Sequence, residues 1–198
     1  MNTTRTNGSV IGPVDRMVID LEATCGIPNQ RENSEIIEIG AVFCDAQWNY
    51  VDEYWSFVKP IRFAKLTEFC TELTTITQAD VDNARGFVEV MDEFVKVIES
   101  LSSVSVYNTL FYSWGNYDRN QFIADCKLHG YDYPFGTHRN LKALYAKAIN
   151  IKRKGMGLGK ALNRCSIAHA GIAHRGIDDA KSMQKIGHYM LNEKGILL

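Results

Sequence analysis

Long apolar runs, proline and paired cysteines are scarce in this sequence, and each scarcity excludes a class of protein. No run of about 18 apolar residues occurs, which argues against a transmembrane helix. Four prolines and 15 glycines among 198 residues are too few for a fibrous or largely disordered chain. The five cysteines are odd in number and widely spaced, so we expect reduced thiols and a cytoplasmic location rather than a disulfide framework.

The amino-terminal segment also lacks the basic and then apolar arrangement of a signal peptide. We expect a flexible polar tail over residues 1–14 and a single domain over residues 15–198. A domain of that length can bury a hydrophobic core of ordinary size without disulfides.

Acidic residues are missing from one long segment of the chain. Between Tyr133 and Ile177 there is no Asp or Glu, although nine of the 22 lysines and arginines lie there. The rest of the chain therefore has 13 basic residues against 23 acidic ones, and the net charge of −1 hides two regions of opposite sign. The basic segment is either a solvated helix surface or a binding surface for a polyanion such as nucleic acid.

Apolar patterning predicts early strands followed by helices mixed with a further strand. Three strands are expected at 16–22, 35–44 and 50–58, and the short turn before the third favours an antiparallel pair. A buried strand is expected at 104–107. Helical spacing predicts helices at 66–73, 77–83, 86–101, 118–129, 140–148, 157–164 and 177–191. This order indicates one three-layer α/β domain.

Two carboxylates lie two positions apart on the first predicted strand. Side chains at i and i+2 of a strand point to the same face, so Asp20 and Glu22 can meet one ion. A solvated strand end is the alternative interpretation of such a pair. Because this strand is otherwise apolar and therefore central, its carboxylates need a metal ion or water to compensate their burial.

Three further candidate residues lie in the second half of the chain. Asp118 either caps a helix or turns its carboxylate toward the first strand. His174 precedes the last predicted helix, which opens with Asp178 and Asp179. We expect Asp178 to cap that helix, which leaves Asp179 for chemistry.

The resulting order, D-x-E, then Asp, then H-x4-D, resembles the DEDDh branch of the 3′→5′ exonucleases in the DnaQ-like superfamily. The resemblance covers about residues 16–191. The segments VIDLEATC, EIIEIGAV, EFCTELTTITQADVD, SWGNYDRNQF and HRGIDDAKSM are similar to the histone-mRNA and small-RNA 3′ exonucleases and to bacterial KapD-like proteins. The resemblance implies a ribonuclease-H-like fold, with a five-stranded mixed sheet, an antiparallel second strand and helices on both faces.

The resemblance also implies roles for individual residues. Two Mg²⁺ or Mn²⁺ ions would be held by Asp20, Glu22, Asp118 and Asp179, with His174 as the general base. Clustered carboxylates cannot all stay ionised without cations, and hard oxygen ligands favour these metals over Zn²⁺. The implied substrate contacts are the backbone of Ala23 and Thr24 at the 3′-hydroxyl, the flanking aromatics Phe69 and Trp114, the apolar wedge of Leu73 and Ile76, and Arg175 near the scissile phosphate. Ordinary core packing is the alternative for Phe69 and Leu73.

Some residues depart from the family or stand outside its motifs. Thr75 occupies a position where the family often has glycine, and Ile172 replaces an arginine two residues before His174. Cys165 and His169 have the C-x3-H spacing of metal ligands, but without a second ligand pair we expect them in the core.

These observations lead to an expected function. The chain is expected to be a metal-dependent 3′→5′ exonuclease that releases nucleoside 5′-monophosphates from single-stranded RNA or short RNA overhangs. The alternatives are the same reaction on DNA, as in proofreading or repair, and a nuclease-fold protein that only binds or regulates. Single-stranded nucleic-acid 3′ ends are the expected partner, with a protein partner or homodimer left open and no membrane association.

Overall fold

The computed structural model describes residues 14–26, 33–102, 105–151 and 155–196. Residues 1–13 of the expected tail therefore lie outside the described residues. Val14, the last residue of that expected tail, is buried and forms an isolated parallel bridge with Ser102. The described part of the chain contains no helix that is both long and apolar enough to cross a membrane.

A mixed sheet forms the centre of the fold. Its strands among the described residues are β1 (Arg16–Ala23), β2 (Ile36–Cys44), β3 (Tyr50–Lys59), β4 (Arg85–Gly86), β5 (Leu110–Ser113) and β6 (His138–Asn140). They lie in the order β4-β3-β2-β1-β5-β6, and only the β1–β2 and β2–β3 pairs are antiparallel. The antiparallel second strand is confirmed, but the sheet has six strands where five were expected. The edge strands β4 and β6 are two and three residues long, too short to produce a pattern that sequence could reveal.

The predicted helices are confirmed, with ends displaced by at most three residues. The expected strand at 104–107 is wrong where it can be checked, because residues 106–108 form a 3₁₀ turn. The strand β5 begins only at Leu110, where the chain meets β1. The helices within the described ranges are α1 (Glu68–Thr74), α2 (Gln78–Asp82), α3 (Phe87–Leu101), α4 (Tyr117–His129), α5 (Leu141–Ala148), α6 (Leu158–Arg164) and α7 (Gly176–His188), and a π-helical turn follows at Tyr189–Glu193.

Alternation along β1 assigns its side chains to two different cores. Met17 and Ile19 pack in the cluster that includes Phe94 of α3, whereas Val18 packs with Ala180 of α7. Because successive strand side chains point to opposite faces, Asp20 and Glu22 share the face of Val18. The fold therefore directs both carboxylates of the D-x-E motif toward α7.

The first turn of α7 lies against the backbone of β2. Gly40 pairs with Asp20 across the β1–β2 ladder. A Cβ atom at Gly40 would lie 2.1 Å from the Gly176 carbonyl carbon and from the Ile177 nitrogen. Only glycine allows this approach, which brings the start of α7 directly beside Asp20.

Thr75 ends α1 in a left-handed backbone conformation, with φ of 62°. This conformation at the end of a helix favours glycine, since a side chain with a Cβ costs about 1–2 kcal/mol there. The departure noted at Thr75 therefore falls on a position where backbone geometry itself favours glycine.

Candidate metal centre

Four carboxylates from three separate elements converge at one end of the sheet. β1 contributes Asp20 and Glu22, and the first turns of α4 and α7 contribute Asp118 and Asp179. Asp118 Oδ1 accepts a hydrogen bond of 3.1 Å from the Leu21 backbone N–H, which fixes the start of α4 against β1. The structure thus brings together the four acidic residues that the motif order predicted.

His174 completes this cluster. Its ring and the carboxylates of Glu22 and Asp179 offer ligand atoms that all lie within 4.8 Å of one another. The His174 backbone is left-handed, with φ of 63°, and its N–H donates to Asp179 Oδ2 at 3.2 Å. Because the side chain is exposed, the imidazole can reach both the carboxylates and an incoming molecule.

The electrostatics of the cluster favour cation binding. Burial, followed by repulsion from Asp118, raises the pKa of Asp20 well above its usual range. Burial and the neighbouring negative charges likewise raise the pKa of Glu22 to about 9. Burial raises the pKa of Asp118 to about 6, although hydrogen bonds to its carboxylate oppose the shift. A divalent cation would compensate these charges, and oxygen ligands suit Mg²⁺ or Mn²⁺.

The expected capping role of Asp178 is wrong. The residue before α7 is Arg175, and its side chain makes no capping hydrogen bond. Asp178 Oδ2 instead accepts the Ile172 backbone N–H at 2.8 Å. Asp178 therefore holds the loop that presents His174. This loop folds back over the first turn of α7.

His169 is also not the core residue that was expected. Its side chain is 23% exposed, and its Nε2 lies 2.5 Å from Asp179 Oδ1. Cys165 lies elsewhere, with its Sγ 3.4 Å from the Tyr145 hydroxyl. The C-x3-H pair does not form a joint site, and His169 belongs to the carboxylate cluster.

Glu38 is a residue of this region that the sequence interpretation missed. It lies opposite Glu22 in the β1–β2 ladder and is fully buried. Arg175 donates to it at 2.9 Å, and the Gly176 backbone N–H donates at 2.9 Å. The available signal was a glutamate in the middle of the apolar segment EIIEIGAV, since such a residue needs a buried partner.

The residues expected to bind substrate lie in different environments. The Thr24 backbone N–H already donates to the Glu35 carbonyl at 2.9 Å, and Ala23 is buried beside it. Arg175 points to Glu38 and lies over the Phe57 ring at 5.3 Å, so its guanidinium is engaged within the protein.

The apolar residues expected at the terminal base are divided between surface and core. Phe69 is 55% exposed and Leu73 is 36% exposed, so α1 presents both to solvent. Ile76 is fully buried in a small core cluster with Ile37 and Leu66, which makes it a packing residue here.

The two aromatic residues before Asp118 have different surroundings. Trp114 donates its indole N–H to the Met156 carbonyl at 3.0 Å and packs near Tyr145, with ring centroids 5.9 Å apart. Tyr117 is 50% exposed. Burial of its hydroxyl, with smaller contributions from Asp118 and Glu22, raises the pKa of Tyr117 to about 12. Tyr117 is thus an exposed aromatic beside the carboxylates, and its position directly before Asp118 is the sequence signal for that placement.

Comparisons with known proteins agree with this geometry. Residues 17–186 match the family model RNase_T, described as Exonuclease. The chain is 29% identical to 3'-5' exoribonuclease 1 of Mus musculus over 181 residues, which are 89% of this chain and 52% of that protein. The chain therefore spans about half the length of this curated relative.

Two solved structures have the same fold. The nuclease domain of 3'hExo, a DEDDh family member bound to rAMP, has a TM-score of 0.85 at 28% identity, covering 93% of this chain and 95% of that one. A 3'-exonuclease in a structure of specific 3'-end recognition of histone mRNA stem-loop has a TM-score of 0.84 at 26% identity, covering 93% of this chain and 66% of that one.

Proposed function

The chain belongs to the exonuclease family, and on that premise we propose that it is a metal-dependent 3′→5′ exoribonuclease. The observation that carries this proposal is the convergence of Asp20, Glu22, Asp118 and Asp179 beside His174. The name of relatives such as 3'-5' exoribonuclease 1 of Mus musculus supports RNA over DNA as the substrate.

The residues present fit the two divalent ions that this family uses. Asp20, Glu22, Asp118 and Asp179 would hold them, and their oxygen donors make Mg²⁺ or Mn²⁺ the proposed metals. Among the described residues, no backbone or side-chain donor makes a hydrogen bond to Asp20 or Glu22, so both carboxylates remain available as ligands. When bound, a pair of ions stabilises charge on the attacking and leaving oxygens of a phosphodiester.

His174 acts as the general base of the proposed reaction. Its exposed imidazole can accept the proton of an attacking water. The attack breaks the bond between phosphorus and the 3′-oxygen of the penultimate nucleotide, and the product is a nucleoside 5′-monophosphate. The hydrogen bond from the His174 N–H to Asp179 keeps the base beside the acidic cluster during this step.

Exposed aromatic and basic residues supply the proposed contacts with the strand. Phe69 and Tyr117 are exposed aromatics, of which Tyr117 adjoins Asp118, and each can stack on a base for about 1–3 kcal/mol. We assign the flanking role expected of Trp114 to Tyr117, because the Trp114 indole is tied to Met156. Upstream phosphates would meet the basic segment, whose exposed members in the described residues are Arg139, Lys147, Lys160 and Arg164.

Shortening of a 5′-labelled single strand in Mg²⁺ tests the proposal, with RNA and DNA of one sequence compared. We expect stepwise loss from the 3′ end of RNA, faster than from DNA, and no reaction with EDTA or in Asp20→Ala. His174→Ala should slow the reaction by about 10²–10⁴-fold while metal binding is retained. Equal or faster shortening of DNA would favour a deoxyribonuclease, and binding without cleavage would favour a regulatory protein.

A further inference from the structure

Two histidines of one loop contact the carboxylate of Asp179. His169 Nε2 lies 2.5 Å from Oδ1, and the His174 backbone N–H donates to Oδ2 at 3.2 Å. Because an ionised carboxylate can only accept hydrogen bonds, the His169 ring must carry its proton on Nε2 to make this contact. Each oxygen of Asp179 is therefore oriented by a donor from the same loop.

The backbone of this loop is anchored without the His169 ring. The Ala170 N–H donates to the Ser182 hydroxyl at 2.9 Å, and the Ile172 N–H donates to Asp178 at 2.8 Å. Both anchors connect the loop to α7, as does the bond from the His174 N–H. The imidazole of His169 therefore adds little to loop closure, and its distinct contribution is the direction it imposes on the Asp179 carboxylate.

That direction matters because a carboxylate turns easily about its last side-chain bond. A ligating carboxylate needs a hydrogen-bonding partner to present its free lone pairs at a fixed angle. On the other side of the ring, Nδ1 lies 3.4 Å from the Gly171 carbonyl oxygen, a contact that becomes a hydrogen bond only when Nδ1 also carries a proton. Its half-buried position, 23% exposed, limits competition from water for the bond to Asp179.

We propose that His169 is a positioning residue, which fixes the Asp179 carboxylate for divalent metal binding through its Nε2–H. The inference rests on the proposed function, since it concerns the same metal site. It assigns the first histidine of the segment HAGIAH a role distinct from that of the second: His169 acts on the metal ligand, and His174 acts on water.

Isothermal titration calorimetry of Mn²⁺ binding to the full chain, without nucleic acid, tests this proposal. In His169→Phe, which keeps a ring but loses the donor, we expect metal affinity to fall by about 10–100-fold. In His169→Gln, whose amide can donate to Asp179, we expect most of the affinity to return. At low Mn²⁺, His169→Phe should lower kcat for RNA with little change in KM, and high Mn²⁺ should restore kcat.

Two control variants separate positioning from general structure. Ser182→Ala removes the anchor of Ala170 and leaves Asp179 untouched, so it should lower the melting temperature with little effect on Mn²⁺ affinity. His188→Leu removes a half-buried histidine from the far end of α7, and neither metal affinity nor activity should change.

Three results would count against the inference. Wild-type Mn²⁺ affinity in His169→Phe, or equal weakening in Ser182→Ala, would overturn the positioning role while leaving the proposed function intact. Failure of His169→Gln to recover affinity, with wild-type circular dichroism, would also overturn it. Absence of Mn²⁺ binding by the wild-type protein would instead overturn the proposed function, and this inference with it.

Discussion

Buried carboxylates occur in two settings in this molecule, and the difference separates structure from chemistry. Glu35 is 1% exposed and accepts the backbone N–H groups of Ile61, Arg62 and Phe63 at 2.7–2.8 Å. Glu38 is fully buried and accepts from Arg175 and Gly176. In these cases the protein itself supplies the donors that a buried anion requires.

The two carboxylates of β1 lack such donors. Asp20 and Glu22 lie beside other carboxylates, and in the described part of the chain neither accepts a hydrogen bond from a protein donor. Burial and mutual repulsion raise the pKa values of both groups. The missing donors at Asp20 and Glu22 therefore indicate a place for an external cation, whereas Glu35 and Glu38 are structural carboxylates with donors from the protein.

The largest expected effect is at Asp20. Asp20→Asn should reduce exonuclease activity on the order of 10³-fold, which corresponds to roughly 4 kcal/mol of barrier. The same variant should make the metal-free protein more stable, because it removes a carboxyl group whose ionisation the folded site opposes. Activity assays and urea unfolding in EDTA measure both effects, with Asp132→Asn as a control for loss of an exposed carboxylate. If Asp20→Asn were less stable than the wild type in EDTA, Asp20 would be a structural carboxylate like Glu35 and Glu38.

The next largest effect is expected at Glu38, where loss of the charge should lower the stability of the metal-free protein. Glu38→Gln leaves Arg175 with a neutral partner at a buried position, and unfolding free energy should fall by about 2–3 kcal/mol, less than for a fully buried pair because Arg175 is 21% exposed. Urea denaturation measures this loss. Replacing both partners with methionine should recover part of the stability, since no unpaired charge is then left.

The pH dependence of the stability of the metal-free protein tests the raised pKa values of the clustered carboxylates. Unfolded carboxyl groups titrate near pH 4, whereas the folded pKa is about 6 for Asp118 and about 9 for Glu22. Between these values the folded protein holds protons that the unfolded chain has lost, so its stability should fall as pH rises from about 4 to 9.

Divalent ions should reverse this loss. Mg²⁺ or Mn²⁺ at a hundredfold excess over Kd should add about 2.7 kcal/mol, and the gain should grow from pH 6 to pH 8 as protons leave the ligands. Thermal unfolding with and without metal checks both statements. A metal-free melting temperature that rises over this range would contradict the assignment of the cluster.

The smallest expected effect provides a baseline for an ordinary surface carboxylate. Glu53 is 21% exposed and pairs with Lys181 at 2.9 Å. Glu53→Gln should change the unfolding free energy by less than about 1 kcal/mol and leave exonuclease activity unchanged. A larger loss would show that strand β3 depends on this pair and would weaken the contrast with Glu38.

Sequence predicted the placement of the clustered carboxylates better than the placement of the residues around them. Asp20 and Glu22 could be placed on one face of a strand because the side-chain period of a strand is two. The partner of Glu38 could not be predicted, since it depends on how β2 meets a helix that begins 138 residues later. The C-x3-H spacing without a second ligand pair predicts a core position for His169, and the spacing of loop residues does not reveal that its side chain turns toward Asp179.

The aromatic residues show the same limit. Trp114 and Tyr117 lie three positions apart before Asp118, and the family resemblance indicates Trp114 as the aromatic beside the terminal base. Sequence could not reveal that the Met156 carbonyl accepts the Trp114 indole N–H while Tyr117 stays half exposed, which is the basis of the proposed role of Tyr117. Contacts between distant segments, rather than local propensity, decide such cases.

Gly40 also makes the activity sensitive to a substitution that changes no charged residue. Even a single methyl group there would overlap the Gly176 backbone and push α7 outward. Asp179 would retreat from β1 with it, although every charged residue would still be in the sequence. Gly40→Ala should therefore appear among inactivating changes in a mutational screen, as a null allele that an inspection of catalytic residues alone would overlook.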